Sequence, residues 1–440
     1  MGLLIGVGNN KPSFPYTQYY GIQKDLSTSA TACTRVGESS LHQSLPIQSK
    51  MRRCLLADDG TVNGYLHATD STKLDTGAAA DLTGAAGQVM VEIPKHYVKF
   101  ELNGTVLTAL FSEYALPGFI EIPKHYVSAY EAALDRTNSK LASVVNTTAQ
   151  YRGGSNNSSR DEQENTDLGK PATSISLTNF RTYAGNRGAG WCCNAYGPNK
   201  AVFWLYVCEY ANFNCQLAYN ASLDADGYHQ GGLGDGVTTL NSTKWSNFNG
   251  YNPVIPCGTT NSLGNASGVV SYTMPDSYDT GNTVTVSVPS YRGIENPYGH
   301  IWKWTDGVLC NIQADGDGGK SLLYAAPEWN PAKFASTITA DYKLRGELPR
   351  TSDYVKQLLI GEHGEMMPKT VGGGASSSTY VGDYFYTNIP SSGEATRGVL
   401  FGGDAYGGAS AGFASASTAG APTYTYANIG SRLCFIPVTQ

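Results

Sequence analysis

From Gly402 to Cys434 the chain reads GGDAYGGASAGFASASTAGAPTYTYANIGSRLC, without a single Lys, Glu, Gln, Met or Trp. Such Gly, Ala and Ser content is the composition of a loop. The stretch nevertheless closes on the apolar residues Ile429, Leu433, Cys434, Phe435 and Ile436, so the fold must pin this loop into a core. The missing residue types have a second property. An AAC codon whose two adenines become any base can encode Asp, Tyr, Gly, Ser, Ala, Thr or Phe, but none of those five residues and no stop. Asp404, Tyr406, Gly407, Ser410, Ser415, Ser417, Ala419, Gly420, Tyr424 and Tyr426 all belong to that set.

At 440 residues and 46.9 kDa the chain can bury a large core, and its length alone suggests two or three domains. Charged residues make up only 15% and the net charge is -6, so the basic footprint of a nucleic-acid binder is missing. With 51 Gly and 29 Tyr the profile is loop-rich and strand-containing rather than a helical bundle. Aromatic residues spread along the whole length argue against disorder. No apolar run reaches the length of a membrane span, and the opening MGLLIGVGNNKPSF lacks a secretory signal. We expect no membrane insertion and synthesis in a cytoplasm without export by the usual route. Nine cysteines (Cys33, Cys54, Cys192, Cys193, Cys208, Cys215, Cys257, Cys310 and Cys434) include no C-x-x-C, and buried free thiols are the expectation.

One heptapeptide occurs twice, EIPKHYV at Glu92–Val98 and again at Glu121–Val127. Each copy suits a short strand with Pro94 or Pro123 at its start or edge, and the residues between them look like a hairpin and its return. His96 and His125 have no acidic or His partner at ligand spacing, so they are read as a strand surface rather than a metal site. No cofactor is expected. Residues 146–165 are polar and read as a surface loop. Two helices follow, Phe180–Asn186 capped by Thr178 or Asn179 and about Lys200–Asn212, with Val202, Leu205, Tyr206 and Glu209 at helical spacing. Turns and short strands follow, including the alternating run Thr283–Val288.

Tyr291–Gly307 reads YRGIENPYGHIWKWTDG, a strand entered from a tight turn at Asn296-Pro297, with Trp302 and Trp304 alternating with Ile301 and Lys303. Glu295 with Asp306, or Glu209 with Glu295, could form a carboxylate pair, but structural pairing is the better reading. The acidic turns at Asp224–Gly227 and Asp315–Gly318 lack the calcium-loop spacing. Gly6–Gly8 and Gly231–Gly236 lack the context of a phosphate loop, and Glu362–Glu365 lacks the HExxH order.

The blocks EIPKHYV, SEYALPGF, FRTYAGNRGAGW, WLYVCEYANFNCQ, YRGIENPYGHIWKWTDG, RGVLFGG and IGSRLCF together resemble the C-type lectin fold of the formylglycine-generating-enzyme type. Variable proteins of diversity-generating retroelements and bacteriophage tail-fibre proteins use that fold. The resemblance runs in order from about Gln88 to Phe435. It implies an α+β, loop-rich domain over residues 88–440 with two helices and short strands, after a lead-in or attachment segment at 1–87. The oxidase branch of this fold needs two closely spaced cysteines after the Arg-Gly-Gly block. Here Arg397–Gly403 is followed by no cysteine before Cys434, so the resemblance implies a binding protein and no catalytic residues.

In the variable branch the C-terminal loops carry the ligand-binding face, altered by adenine-directed mutagenesis. The resemblance therefore assigns ligand binding to the ten AAC-compatible positions, within a diversified segment at about 402–430. Tyr406, Tyr424 and Tyr426 would be anchors among small polar residues, the composition that antibody loops use. The partners it implies are a bacterial surface receptor, protein or glycan, other tail-fibre proteins, and two further copies in a homotrimer within a virion. The alternatives are an oxidase on the same fold and a cellular ligand-binding protein diversified in the same way.

Overall fold

A computed structural model describes residues 16–275 and 284–438. Strands account for 36% of the residues and helices for 15%, which overturns the expected loop-rich α+β architecture with two helices. The protein is mostly β. Twenty-six strands and four α-helices are formed among the described residues, because short β-branched and aromatic runs separated by glycine turns favour pleated pairing. Gly6–Gly8 and the start of the Thr283–Val288 run lie outside the described residues.

Three sheets dominate. A five-stranded antiparallel sheet places Thr34–Gly37, Tyr20–Asp25, Val106–Ser112, His96–Asn103 and Ile120–Ile122 side by side. A seven-stranded sheet runs Trp191–Cys193, Leu433–Phe435, His125–Ser128, Gln88–Ile93, Arg52–Leu56, Val62–His67 and Asp70–Leu74. The strands before residue 88 thus share both sheets with strands after it. The third and largest sheet has the order Lys343–Glu347, Ser321–Ala325, Trp302–Gln313, Glu394–Gly402, Gly412–Thr418, Tyr384–Thr387, Asp353–Ile360 and Glu365–Val371. Ile429–Gly430 pairs in parallel with the start of the long Trp302–Gln313 strand.

The repeated heptapeptide is the joint between the first two sheets. In the first copy Glu92-Ile93 ends a strand of the seven-stranded sheet, Pro94 turns the corner, and His96 begins a strand of the five-stranded sheet. The second copy makes the reverse crossing at Pro123. The two corners embrace: His125 lies opposite Ile93 and His96 opposite Ile122. Tyr126 Oη donates to Glu92 at 2.9 Å, and Tyr97 Oη donates to Glu121 at 3.1 Å. Both histidines are fully buried rather than on a strand surface, and the Nδ1 of each lies 2.8 to 2.9 Å from the carbonyl of its own copy's proline. One sequence is used twice because each copy fills the half that the other leaves open.

The first expected helix spans Leu177–Gly185 and is capped by Ser176, whose Oγ accepts the Asn179 N–H at 3.2 Å, not by Thr178 or Asn179. The second spans Tyr196–Tyr210. It starts earlier than its apolar periodicity suggests because Pro198 lies in the first turn, where its missing N–H costs nothing. It is buried on almost every side, packing against both the corner strands and the long strand of the largest sheet. Ser39–Ser44 and Ser242–Asn249 are two further helices.

Candidate ligand-binding site

The largest sheet carries the AAC-compatible segment. Strand Gly412–Thr418 is paired antiparallel with Glu394–Gly402 and parallel with Tyr384–Thr387, and it separates two loops, residues 403–411 and 419–428. The first leaves its strand through Gly402 and Gly403, with φ of +101° and +73°. Side chains rarely tolerate that region, so these two glycines are framework.

Main-chain bonds hold both loops to the body of the protein. The Ala405 N–H donates to the His300 carbonyl at 3.0 Å, and the Ala405 carbonyl accepts from Leu240 at 3.2 Å. In the second loop the carbonyls of Gly420, Pro422, Tyr426 and Asn428 accept from Gly398, Leu177, Ser174 and Trp302 at 2.9 to 3.1 Å. A backbone bond is indifferent to the side chain on its own residue. At most positions loop shape is thereby freed from the identity of the side chain.

Between the loops lies an open cavity of about 630 Å³. Asp404, Tyr406, Gly407, Ser417, Ala419, Tyr424 and Tyr426 line it, seven of the ten candidate positions. The exposed tyrosines are Tyr406 at 62%, Tyr424 at 47% and Tyr426 at 46%. Tyr424 and Tyr426 present parallel rings 6.4 Å apart. Gly420 lines an adjoining cavity, and Ser410 stands behind the rim, with its Oγ 3.1 Å from the Tyr386 hydroxyl. Ser415 is fully buried with its hydroxyl unpaired. A ligand in the cavity does not reach it.

Sequence reasoning missed the walls that come from elsewhere, Trp302, Tyr386 and Leu400, and, within the segment, Asn428. Trp302 and Tyr386 meet edge to face at 5.8 Å. Asn428 donates its amide to Asp404, whose other oxygen accepts the Tyr406 N–H at 3.2 Å. Burial pushes the Asp404 carboxyl up to about 6, although the Asn428 bond works against the shift. Near neutrality Asp404 is a desolvated acceptor.

No protein-family model matches the chain and no curated protein does. Among solved structures it is similar to the Major Tropism Determinant U1 variant, at 14% identity over 88% of this chain and 72% of that one, with a TM-score of 0.29. So slight a likeness carries neither fold detail nor function across.

Beneath the cavity runs the YRGIENPYGHIWKW motif. His300 Nε2 accepts the N–H groups of Val254 and Ile255 at 2.9 and 3.1 Å, which places its proton on Nδ1, 2.6 Å from Glu131. Lys303 Nζ approaches the same carboxylate at 3.0 Å, and Arg432 donates to the carbonyls of Glu295 and Asn296. Every ion here is buried and partnered, as burial requires. The considered carboxylate pairs are not brought together as acid and base. Glu295 accepts from Gly258 and Thr260, Asp306 forms a two-pronged bridge to Arg181, and Glu209 binds Arg292.

The other motifs are structural too. Asp224 Oδ1 closes its own turn by accepting from Asp226 and Tyr228, while Asp315 pairs with Arg350 at 2.6 Å. Cys192 lies directly across from Cys434 in the seven-stranded sheet. Both are buried, and burial holds the Cys192 and Cys193 thiols well above their usual range. Among the described residues no group of three or more His, Cys, Asp or Glu could hold a metal ion. None of their helices is long and apolar enough to cross a membrane.

Proposed function

We propose that this chain is a receptor-binding protein of a bacteriophage tail fibre, gripping a bacterial surface molecule between residues 404 and 426. Adenine-directed mutagenesis is the origin we assign to its loop residues. One observation carries the reading: seven of the ten candidate positions in the segment without Lys, Glu, Gln, Met or Trp line a single cavity. Loops held by backbone bonds can change side chains without losing their shape, the condition for a variable site on a fixed support. Rigid tyrosines among Ser, Ala and Gly supply contact area at small entropic cost.

On this reading the activity is binding, not catalysis. Homotrimeric display beside other tail-fibre proteins would multiply modest single-site affinity, provided that the copies engage together. The decisive experiment replaces Tyr406, Tyr424 and Tyr426 together by Ala and measures adsorption to a panel of bacterial envelopes. Adsorption falls by roughly 100-fold or more with the circular dichroism spectrum unchanged, as for other interfaces anchored by a few aromatic residues. Undiminished adsorption of the folded variant refutes the proposal.

A further inference from the structure

The cavity between the loops does not end at Tyr424. A second open cavity, of about 700 Å³, adjoins it, and the two share Leu400, Ser417, Ala419 and Tyr424 as walls. They form one groove in two lobes, with the Tyr424 ring at the junction.

The lobes differ chemically. The first holds Trp302, Tyr386 and Tyr426 together with the acceptor Asp404 and its partner Asn428. Beside Tyr424 and Leu400 the second is lined by small or polar residues, and its one charged lining residue is Arg397. Arg397 is poorly employed: its sole hydrogen bond is a long one, 3.5 Å to the Asn388 carbonyl, its buried Nε has no partner, and among the described residues it forms no ion pair. Arg397 is only partly buried, and the open side of its guanidinium fork fits a carboxylate or phosphate.

We propose that the groove is a binding site for an anionic glycan, its sugar rings against the aromatic walls of the first lobe and its acidic group on Arg397 in the second. The inference rests on the receptor-binding reading and names the receptor's chemistry. Three features favour a sugar chain over a protein surface. The groove is concave and made of two adjoining lobes, whereas protein partners meet broad and flatter faces. The flat apolar side of a pyranose matches a Tyr or Trp face, and its hydroxyls match Asp404 and Asn428. A single unpaired cation beyond the aromatic lobe asks for an anion one or two residues further along the chain. Arg397 also lies outside the ten AAC-compatible positions, so the anion contact would stay constant while the loops vary.

The test prints bacterial capsular and lipopolysaccharide glycans on an array, each intact and after removal of its acidic groups, by carboxyl reduction for uronates and by dephosphorylation for phosphates. The wild-type protein binds at least one intact anionic glycan, and neutralising that glycan weakens binding roughly 10- to 100-fold, the scale of one charged hydrogen-bonded contact. Arg397→Met loses the same factor, gains no further loss on the neutralised glycan, and Arg397→Lys recovers part of it. The two neutralising treatments show which acid is read. Equal binding of neutral and acidic forms overturns the inference, as does the absence of glycan binding when envelope adsorption is abolished by protease. In that last case the tyrosine-dependent adsorption persists before proteolysis, so the receptor-binding reading survives; it fails separately if adsorption ignores the tyrosines.

Discussion

The paired corners and the groove solve opposite problems with one kind of chain. At the corners the same seven residues occur twice, and their side chains add to the strand pairing: Tyr126 reaches Glu92, Tyr97 reaches Glu121, and two histidines are sealed inside. At the groove main-chain bonds tie the loops to the body, Asp404 links them to each other through Asn428, and seven candidate side chains line a cavity. A region fixed through side chains cannot change its sequence. One fixed through its backbone can.

The comparison is sharpest under acid. Burial holds His96 down at about 4 and His125 at about 3. Their folded values lie below the unfolded one near 6.5, so the stability that goes with neutral rings is complete above that value and drains away as pH falls toward 4. The expected loss is on the order of 5 kcal/mol for the pair, measured by urea unfolding at stepped pH. A double His96→Gln, His125→Gln variant that keeps the same acid sensitivity would show the corners to be irrelevant to it. Next in size, Ile93→Ala removes a fully buried side chain opposite His125 and should cost about 2–5 kcal/mol. A shift below about 1 kcal/mol in urea unfolding would break the claim that corner side chains hold the joint.

Asp404 has the opposite sign. Its folded value is raised, so its contribution to stability is intact below the ordinary carboxylate range and is lost as pH rises through about 6. Asp404→Asn should therefore stabilise the fold at neutral pH by about 1–3 kcal/mol and weaken ligand binding, readable by thermal melts beside adsorption. Smallest of all, Tyr406→Ala at the exposed rim should change stability by less than about 0.5 kcal/mol; a larger change in urea unfolding would mean that the loop depends on its side chains after all.

Parts of this were legible in the sequence and parts were not. The residue census of 402–434 located one wall of the groove because seven of its candidate side chains line the cavity. Trp302, Tyr386 and Arg397 were invisible as groove residues, since only sheet pairing brings those strands beside the loops. The repeat was plain, but not that its copies clasp each other, which depends on long-range register. Strand content was underestimated for a physical reason: Trp302–Gln313 runs through Gly307, where the ladder to Glu394–Gly402 shifts register between Thr305 and Leu309. A glycine at such an irregularity reads as a turn. Helix Ser242–Asn249 was missed because its residues are weak helix formers, rescued by the Asn241 cap and the left-handed Gly250 at its end.

Strand Leu433–Phe435 sits inside the seven-stranded sheet, between His125–Ser128 and Trp191–Cys193. During synthesis the neighbours of that slot emerge first, and the strand that fills it follows about 300 residues after His125–Ser128. Until it arrives the sheet presents two bare edges, which invite other chains. Completion is therefore a checkpoint in time: a copy interrupted before this strand cannot close the sheet.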